Sequence, residues 1–250
     1  VMIINSTRST PQIQQHAISL IPSKYFMDNL EILTSKTFDP LVGFGNSLII
    51  SIFSTACTIY FSTMTAFAIV AYDWKLKNAF FTLIMCVLMI PTQVTCIGFY
   101  QFIYKIGMTN SYLPLILPAI AAPATVFFMR QYMVPTLPME ILQSARIDGA
   151  GEFRIFNQIV LPMMKPAMAT QAIFAFVTSW NSYFLPSILI TRSEKYTLPM
   201  MVSLLKGDIY KTEYGSIYLG LFLTVLPLLV MYFILSKYII AGVALGGVKG

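Results

Sequence analysis

Charge is scarce in this chain of 250 residues: Asp, Glu, Lys and Arg make up 10% of it, against roughly 25% in a soluble globular domain. Hydrophobic residues make up 57%, and the mean hydropathy is +0.73. Five stretches hold no Asp, Glu, Lys, Arg or His: residues 47–71, 79–104, 112–129, 167–190 and 216–236. Each is long enough to cross a ~30 Å hydrocarbon core, which takes about 20 residues at 1.5 Å each. The expected class is an all-α membrane protein. Missing ionisable groups weigh against a proton relay or voltage sensor, which need such groups within the membrane. Sodium sites built from carbonyls and hydroxyls stay open. The chain also has no G-x-x-x-x-G-K-[ST], so it does not bind ATP through a P-loop. Cys57, Cys86 and Cys96 lie in apolar stretches without C-x-x-C spacing, and His16 is the only histidine. No metal site is expected, and the cysteines read as small packing residues. The net charge of +6 is spread over loops, the pattern of topology signals and headgroup contacts, not of a nucleic-acid surface.

Prolines interrupt the apolar stretches at Pro91, Pro114, Pro118, Pro123, Pro186 and Pro227. Kinked helices in a bundle are expected, with neighbours satisfying the freed carbonyls. Residues 1–4 form an apolar stub running into a polar segment, which reads as the end of a truncated or missing first span. Charge counting does not orient the protein, because the sixteen Lys and Arg divide equally between the two sides. Only Lys75 and Lys77, in a short loop, give a local bias toward the inside.

Against this background residues 143–162, QSARIDGAGEFRIFNQIVLP, stand out as polar and charged. Thr136 is placed to cap a helix starting at Leu137 and Pro138 and running through Arg146. Asp148 and Gly149 should stop it, with Gly151 a second breaker. A second helix over 152–160 would put Phe153, Phe156 and Val160 on one face, with Pro162 ending it and Pro166 opening the next span. Two short helices with a glycine joint make a knob suited to a partner's groove. A transporter without P-loop or intramembrane charge takes its energy from a partner, and this knob is the natural coupling surface.

The knob resembles the EAA loop of binding-protein-dependent ABC importer permeases, E-A-A-x3-G-x9-I-x-L-P. Gln143, Ser144, Ala145, Gly149, Ile159, Leu161 and Pro162 occupy its seven defined positions; five match, while Gln143 replaces Glu and Ser144 replaces Ala. W-N-x-Y-x-x-P (Trp180, Asn181, Tyr183, Pro186), KYTLP at 195–199, GGVKG at 246–250 and NSLIIS at 46–51 extend the likeness to carbohydrate-uptake permeases of the maltose type. It covers roughly residues 43–250.

The resemblance implies a type I ABC importer transmembrane domain over 43–241, with five visible spans and one further N-terminal span. Residues 1–42 and 191–214 would be extracytoplasmic; the coupling loop at 135–165 and the tail at 242–250 would be cytoplasmic. It implies a second permease, two ATP-binding subunits that hold ATP and Mg, an extracytoplasmic binding protein and a sugar substrate. The chain itself would be a non-catalytic cell-membrane subunit without a cofactor. Gln143, Ser144, Ala145, Asp148, Gly149 and Ala150 are the expected coupling core, and docking without the glutamate should depend on shape more than on charge. An uncharged pathway suits a neutral solute. Thr92, Gln93, Trp180, Asn181 and Tyr183 offer stacking and hydrogen bonds for a sugar, though the same residue types also glue membrane helices together, and both roles stay open. Alternatives are a permease of this class for a non-sugar solute and an ion-coupled transporter. A membrane enzyme is disfavoured, since Asp148 and Glu152 have no histidine partner.

Overall fold

The computed structural model describes residues 1–35, 39–204 and 213–246, except for the side chains of Ser35, Thr92, Gln93 and residues 235–246. All regular elements among the described residues are helical. In chain order they are α1 (Met2–Asn5), α2 (Thr10–Gln15), α3 (Phe26–Ser35), α4 (Pro40–Ala71), α5 (Lys77–Leu88), α6 (Thr92–Lys105) and α7 (Leu113–Ile116). They continue with α8 (Pro123–Thr136), α9 (Met139–Ile147), α10 (Glu152–Ile155), α11 (Leu161–Met163) and α12 (Lys165–Trp180). The chain closes with α13 (Phe184–Leu189), α14 (Leu198–Leu204) and α15 (Tyr214–Gly246).

Three helical stretches among the described residues are long and apolar enough to cross a membrane: Pro40–Ala71, Leu113–Thr136, which turns at Ala121 and Ala122, and Tyr214–Ile234. The other two expected spans are interrupted. Residues 79–104 divide into α5 and α6 at Met89–Pro91, because Pro91 cannot continue the helix and instead caps the next one. Residues 167–190 divide at 181–183, between α12 and α13. Residues 247–250, the end of the expected tail, lie outside the described residues, as does 205–212 of the expected outer segment.

The chain forms two compact units. The first comprises Val1–Ile50, Met108–Ser111 and Trp180–Met231. Its N-terminal helices are knotted by buried polar groups. Arg8, 6% exposed, donates to Asn5 Oδ1 and to the carbonyls of His16 and Gln12 at 2.7–3.1 Å. The Asn29 amide donates to the carbonyls of Ser6 and Arg8, both at 2.9 Å. Gly215 at the start of α15 fits beneath them: a Cβ there would come within 2.4 Å of Asn29 Oδ1 and 2.5 Å of the Arg8 carbonyl. Asn46 and Ser47 of the NSLIIS motif have a structural task. Asn46 donates to the carbonyls of Glu194 and Tyr196, and the Leu198 N–H donates to Ser47 Oγ at 2.8 Å.

The second unit comprises Ser51–Gly107, Tyr112–Ser179 and Tyr232–Gly250. Here the expected rescue of proline-freed carbonyls takes a definite form. Ser54, Thr58 and Ser62, one helical turn apart on α4, donate to the carbonyls of Leu115 (3.4 Å), Ala119 (3.1 Å) and Ala122 (3.5 Å). Ala119 is the residue whose carbonyl would receive the N–H that Pro123 lacks in a continuous helix, and Thr58 supplies the donor instead. The core of this unit joins Ala66, Phe67 and Ala71 of α4 to Met129 and Met133 of α8 and to Leu142, Ile155, Phe156, Val160 and Met164. Burial of these side chains seats the polar stretch of residues 143–162 on the end of α4.

Candidate functional site

The first helix of the knob begins later than the capping rule predicts. Thr136 is the last residue of α8 and its hydroxyl bonds back to the Tyr132 carbonyl; Pro138 stands at the N-cap of α9. Standing two residues before the N-cap, Thr136 makes no capping bond to α9, and its hydroxyl donates within its own helix. The stop signals work as expected. Gly149 adopts φ +79°, its N–H donates to the Arg146 carbonyl at 3.0 Å, and the Ala150 N–H donates to the Ala145 carbonyl at 2.9 Å. This pair of bonds is a Schellman turn, which needs a left-handed residue and therefore favours glycine. Beyond its chain neighbours, no described residue lies within 4 Å of a Cβ built on Gly149. The backbone conformation, not crowding within the chain, is what demands glycine there.

Gly151 caps α10, which passes through a π turn at Phe156–Val160 into α11. The wider turn rotates Val160 toward Ile155. Ile155, Phe156 and Val160 are buried, whereas Phe153 is 71% exposed, so the expected face of Phe153, Phe156 and Val160 is corrected. Pro162 does not end this helix either. It sits inside the continuous helical run Glu152–Met163, and the chain breaks at Met164 with a bend of 81° before α12.

A charged clasp closes the knob. Arg146 Nε donates to Glu152 Oε1 at 2.7 Å and its Nη2 to Oε2 at 3.3 Å, across the glycine turn. The Tyr72 hydroxyl, just beyond α4, donates to Glu152 Oε2, and the Arg146 guanidinium lies 5.3 Å from the Tyr72 ring centroid. The bond from Arg146 and then that from Tyr72 hold the Glu152 carboxyl below its usual range. Arg146 and Glu152 are legible in hindsight as opposite charges flanking a glycine turn; nothing in the sequence marks Tyr72. Opposite the core the knob shows Gln143, Ser144, Asp148 and Gly149 to the outside, while Ala145 and Ala150 are half-buried. Ile147 is 85% exposed beside them. Ala145, Asp148, Gly149, Arg154, Ile155 and Gln158 line an open cavity of about 380 Å³. All six residues of the expected coupling core thus sit on one small surface with an apolar rim.

The residues expected along a solute path fare differently. Trp180 is 1% exposed, its indole N–H donates to the Thr224 carbonyl at 2.8 Å, and its ring meets Phe44 edge-on at 5.7 Å. In this conformation it presents no stacking face to a sugar and acts as packing. Asn181 and Tyr183, in the break between α12 and α13, are exposed. Thr92 and Gln93 open α6, and their side chains lie outside the described set.

These elements define a helical, polytopic membrane protein with an exposed knob between apolar segments. Residues 58–244 match the family described as binding-protein-dependent transport system inner membrane component, and the chain belongs to that family. It is 36% identical over its whole length to an arabinooligosaccharides transport system permease protein of Halalkalibacterium halodurans, of which it covers 89%. A protein of the same description from Bacillus subtilis is 37% identical, with the same coverage. The crystal structure of a bacterial ABC transporter involved in the import of the acidic polysaccharide alginate has the same fold, with a TM-score of 0.80 over 95% of this chain and 88% of that one, at 19% identity. The chain is a permease subunit, and its family is non-catalytic.

Proposed function

We propose that this permease forms, with a second permease, the pathway by which a neutral oligosaccharide enters the cell. The knob faces the cytoplasm and seats in a groove of a partner ATPase; two such subunits bind ATP and Mg, and an extracytoplasmic protein delivers the solute. The C-terminus is cytoplasmic. The single observation that carries this reading is the knob: a φ +79° glycine turn that presents Gln143, Ser144, Asp148 and Ile147 outward while its apolar side is packed on α4. Closure of the ATPases moves the knob as a body and rocks the helices packed on it, the pair of permeases being the bistable element. Identity of 36–37% to two arabinooligosaccharide permeases supports a pentose oligomer as the solute. Asn181 and Tyr183 are the proposed solute contacts in the break after α12, with Thr92 and Gln93 beside Pro91 as further candidates.

Proteoliposomes holding the complete assembly, loaded with ATP, test the proposal. Labelled arabinooligosaccharide should accumulate only with ATP and the binding protein. Accumulation driven by a sodium gradient without ATP would sink it, and preference for lactose or a non-sugar solute would replace the substrate.

A further inference from the structure

Arg130 is the first charged residue after the uncharged run of 112–129, and it still lies inside the apolar stretch Leu113–Thr136. Six residues, about 9 Å of helix, separate it from the end of α8. The guanidinium carbon sits 4.3 Å from the ring centroid of Phe81 on α5, and that ring stacks on Phe127 at 6.4 Å. Nε is buried and has no hydrogen-bond partner, while Nη1 makes only a long contact, 3.4 Å, to Gln131 Oε1. Among the described residues no carboxylate pairs with Arg130. A half-buried arginine inside an apolar stretch, covered on one side by an aromatic face and with no partner on Nε, suits an anion on its terminal nitrogens.

The surroundings say which anion. Lys77 precedes Phe81 by one turn on the same helix face, and Lys75 lies two residues earlier. Trp74 packs against Phe80 at 5.7 Å with the rings inclined at 54°, and an indole is a residue favoured at a membrane–water boundary. Around them Leu76, Leu83, Phe128 and Val134 are exposed, a surface that suits acyl chains. Phe67 and Ala71 pack with Leu142 and Ile155, so the loop after α4 and the knob share one side of the membrane.

We propose that Arg130, backed by Phe81 and flanked by Lys75 and Lys77, binds the phosphate of an anionic phospholipid in the leaflet on the knob side. Guanidinium and phosphate form paired charge-assisted hydrogen bonds, the lysines favour a net negative headgroup, and the apolar flank accepts its chains. The site requires only that the chain span a bilayer, so it stands or falls independently of the transported solute.

Thermal unfolding of the purified full assembly in neutral detergent tests it, with phosphatidylglycerol, phosphatidylcholine or inorganic phosphate added. Phosphatidylglycerol should raise the midpoint by about 2–4 °C over phosphatidylcholine, and inorganic phosphate should not. Arg130→Gln should lose the rise, Arg130→Lys should keep part of it, and the double variant Lys75→Gln/Lys77→Gln should narrow it. An equal rise in Arg130→Gln, or none in the unaltered assembly, would overturn the site. So would an equal rise with inorganic phosphate, which marks a free-anion site, or loss of the second permease from Arg130→Gln in every lipid, which marks a protein carboxylate as the partner. If Arg130→Gln cannot be purified folded, the lysine variants decide, and an undiminished rise in Lys75→Gln/Lys77→Gln overturns the proposal.

Discussion

The knob and the end of α12 at Trp180 are both places where polar and aromatic side chains meet apolar sequence, yet they are built in opposite senses. In the knob the polar groups face out, and a large apolar residue, Ile147, is left 85% exposed beside them. At Trp180 the polar atom is turned in, spent on the Thr224 carbonyl, and the ring is sealed from its surroundings. Residue type alone does not separate a side chain that works outward from one that holds the fold. Exposure together with the fate of the polar atom does.

Removing the sealed ring should have the largest effect. Trp180→Ala should destabilise the permease by about 3–5 kcal/mol, the cost of emptying a packed indole site, read as loss of folded protein under denaturant. A normal midpoint would put Trp180 back among the solute contacts. Gly149→Arg strikes the outward-facing region. A side chain in the left-handed conformation costs about 1–2 kcal/mol, so the subunit should still fold, while uptake fails or the ATPase no longer co-purifies. Retained uptake would remove Gly149 from the coupling surface.

A middle-sized effect is expected from Asn181→Ala/Tyr183→Ala, which should weaken uptake of the sugar with ATPase association intact; loss of association would make these residues structural as well. The clasp should show the smallest change in stability. Its ion pair is substantially exposed, with side chains 31% and 46% accessible, and such pairs contribute about 0.2–1 kcal/mol. Tyr72→Phe and Glu152→Gln should fold normally but lower uptake per ATP hydrolysed, because the knob then moves less tightly with α4. Because the folded Glu152 carboxyl is held below its usual range, its contribution is present above the ordinary glutamate pKa and is lost as pH falls through the lower folded value. Stability of Glu152→Gln should lack that acid-side step, and an unchanged profile would show that the carboxylate is not the anchor.

Much of the knob was legible because its signals are local. A glycine that must take φ +79° and a second glycine at a helix start act through their own backbone. Phe153 was misread because the period assumed was that of an α-helix, and a π turn three residues on moves the buried face. Thr136 was misread because α8 extends through it, so its hydroxyl donates to the Tyr132 carbonyl and the N-cap falls two residues later, at Pro138. Tyr72 carries no local mark at all; its partner is 80 residues away.

The sequence by itself determined that this chain lies in a membrane and that its polar handle turns at Gly149. Each follows from composition or from one residue's conformational limits. Only the tertiary structure decided that Thr58 serves the carbonyl freed at Pro123, that Trp180 is sealed, and that Tyr72, Glu152 and Arg146 close on one another. Those outcomes depend on which distant groups packing brings within hydrogen-bond reach, and the order of residues along the chain carries no record of that distance.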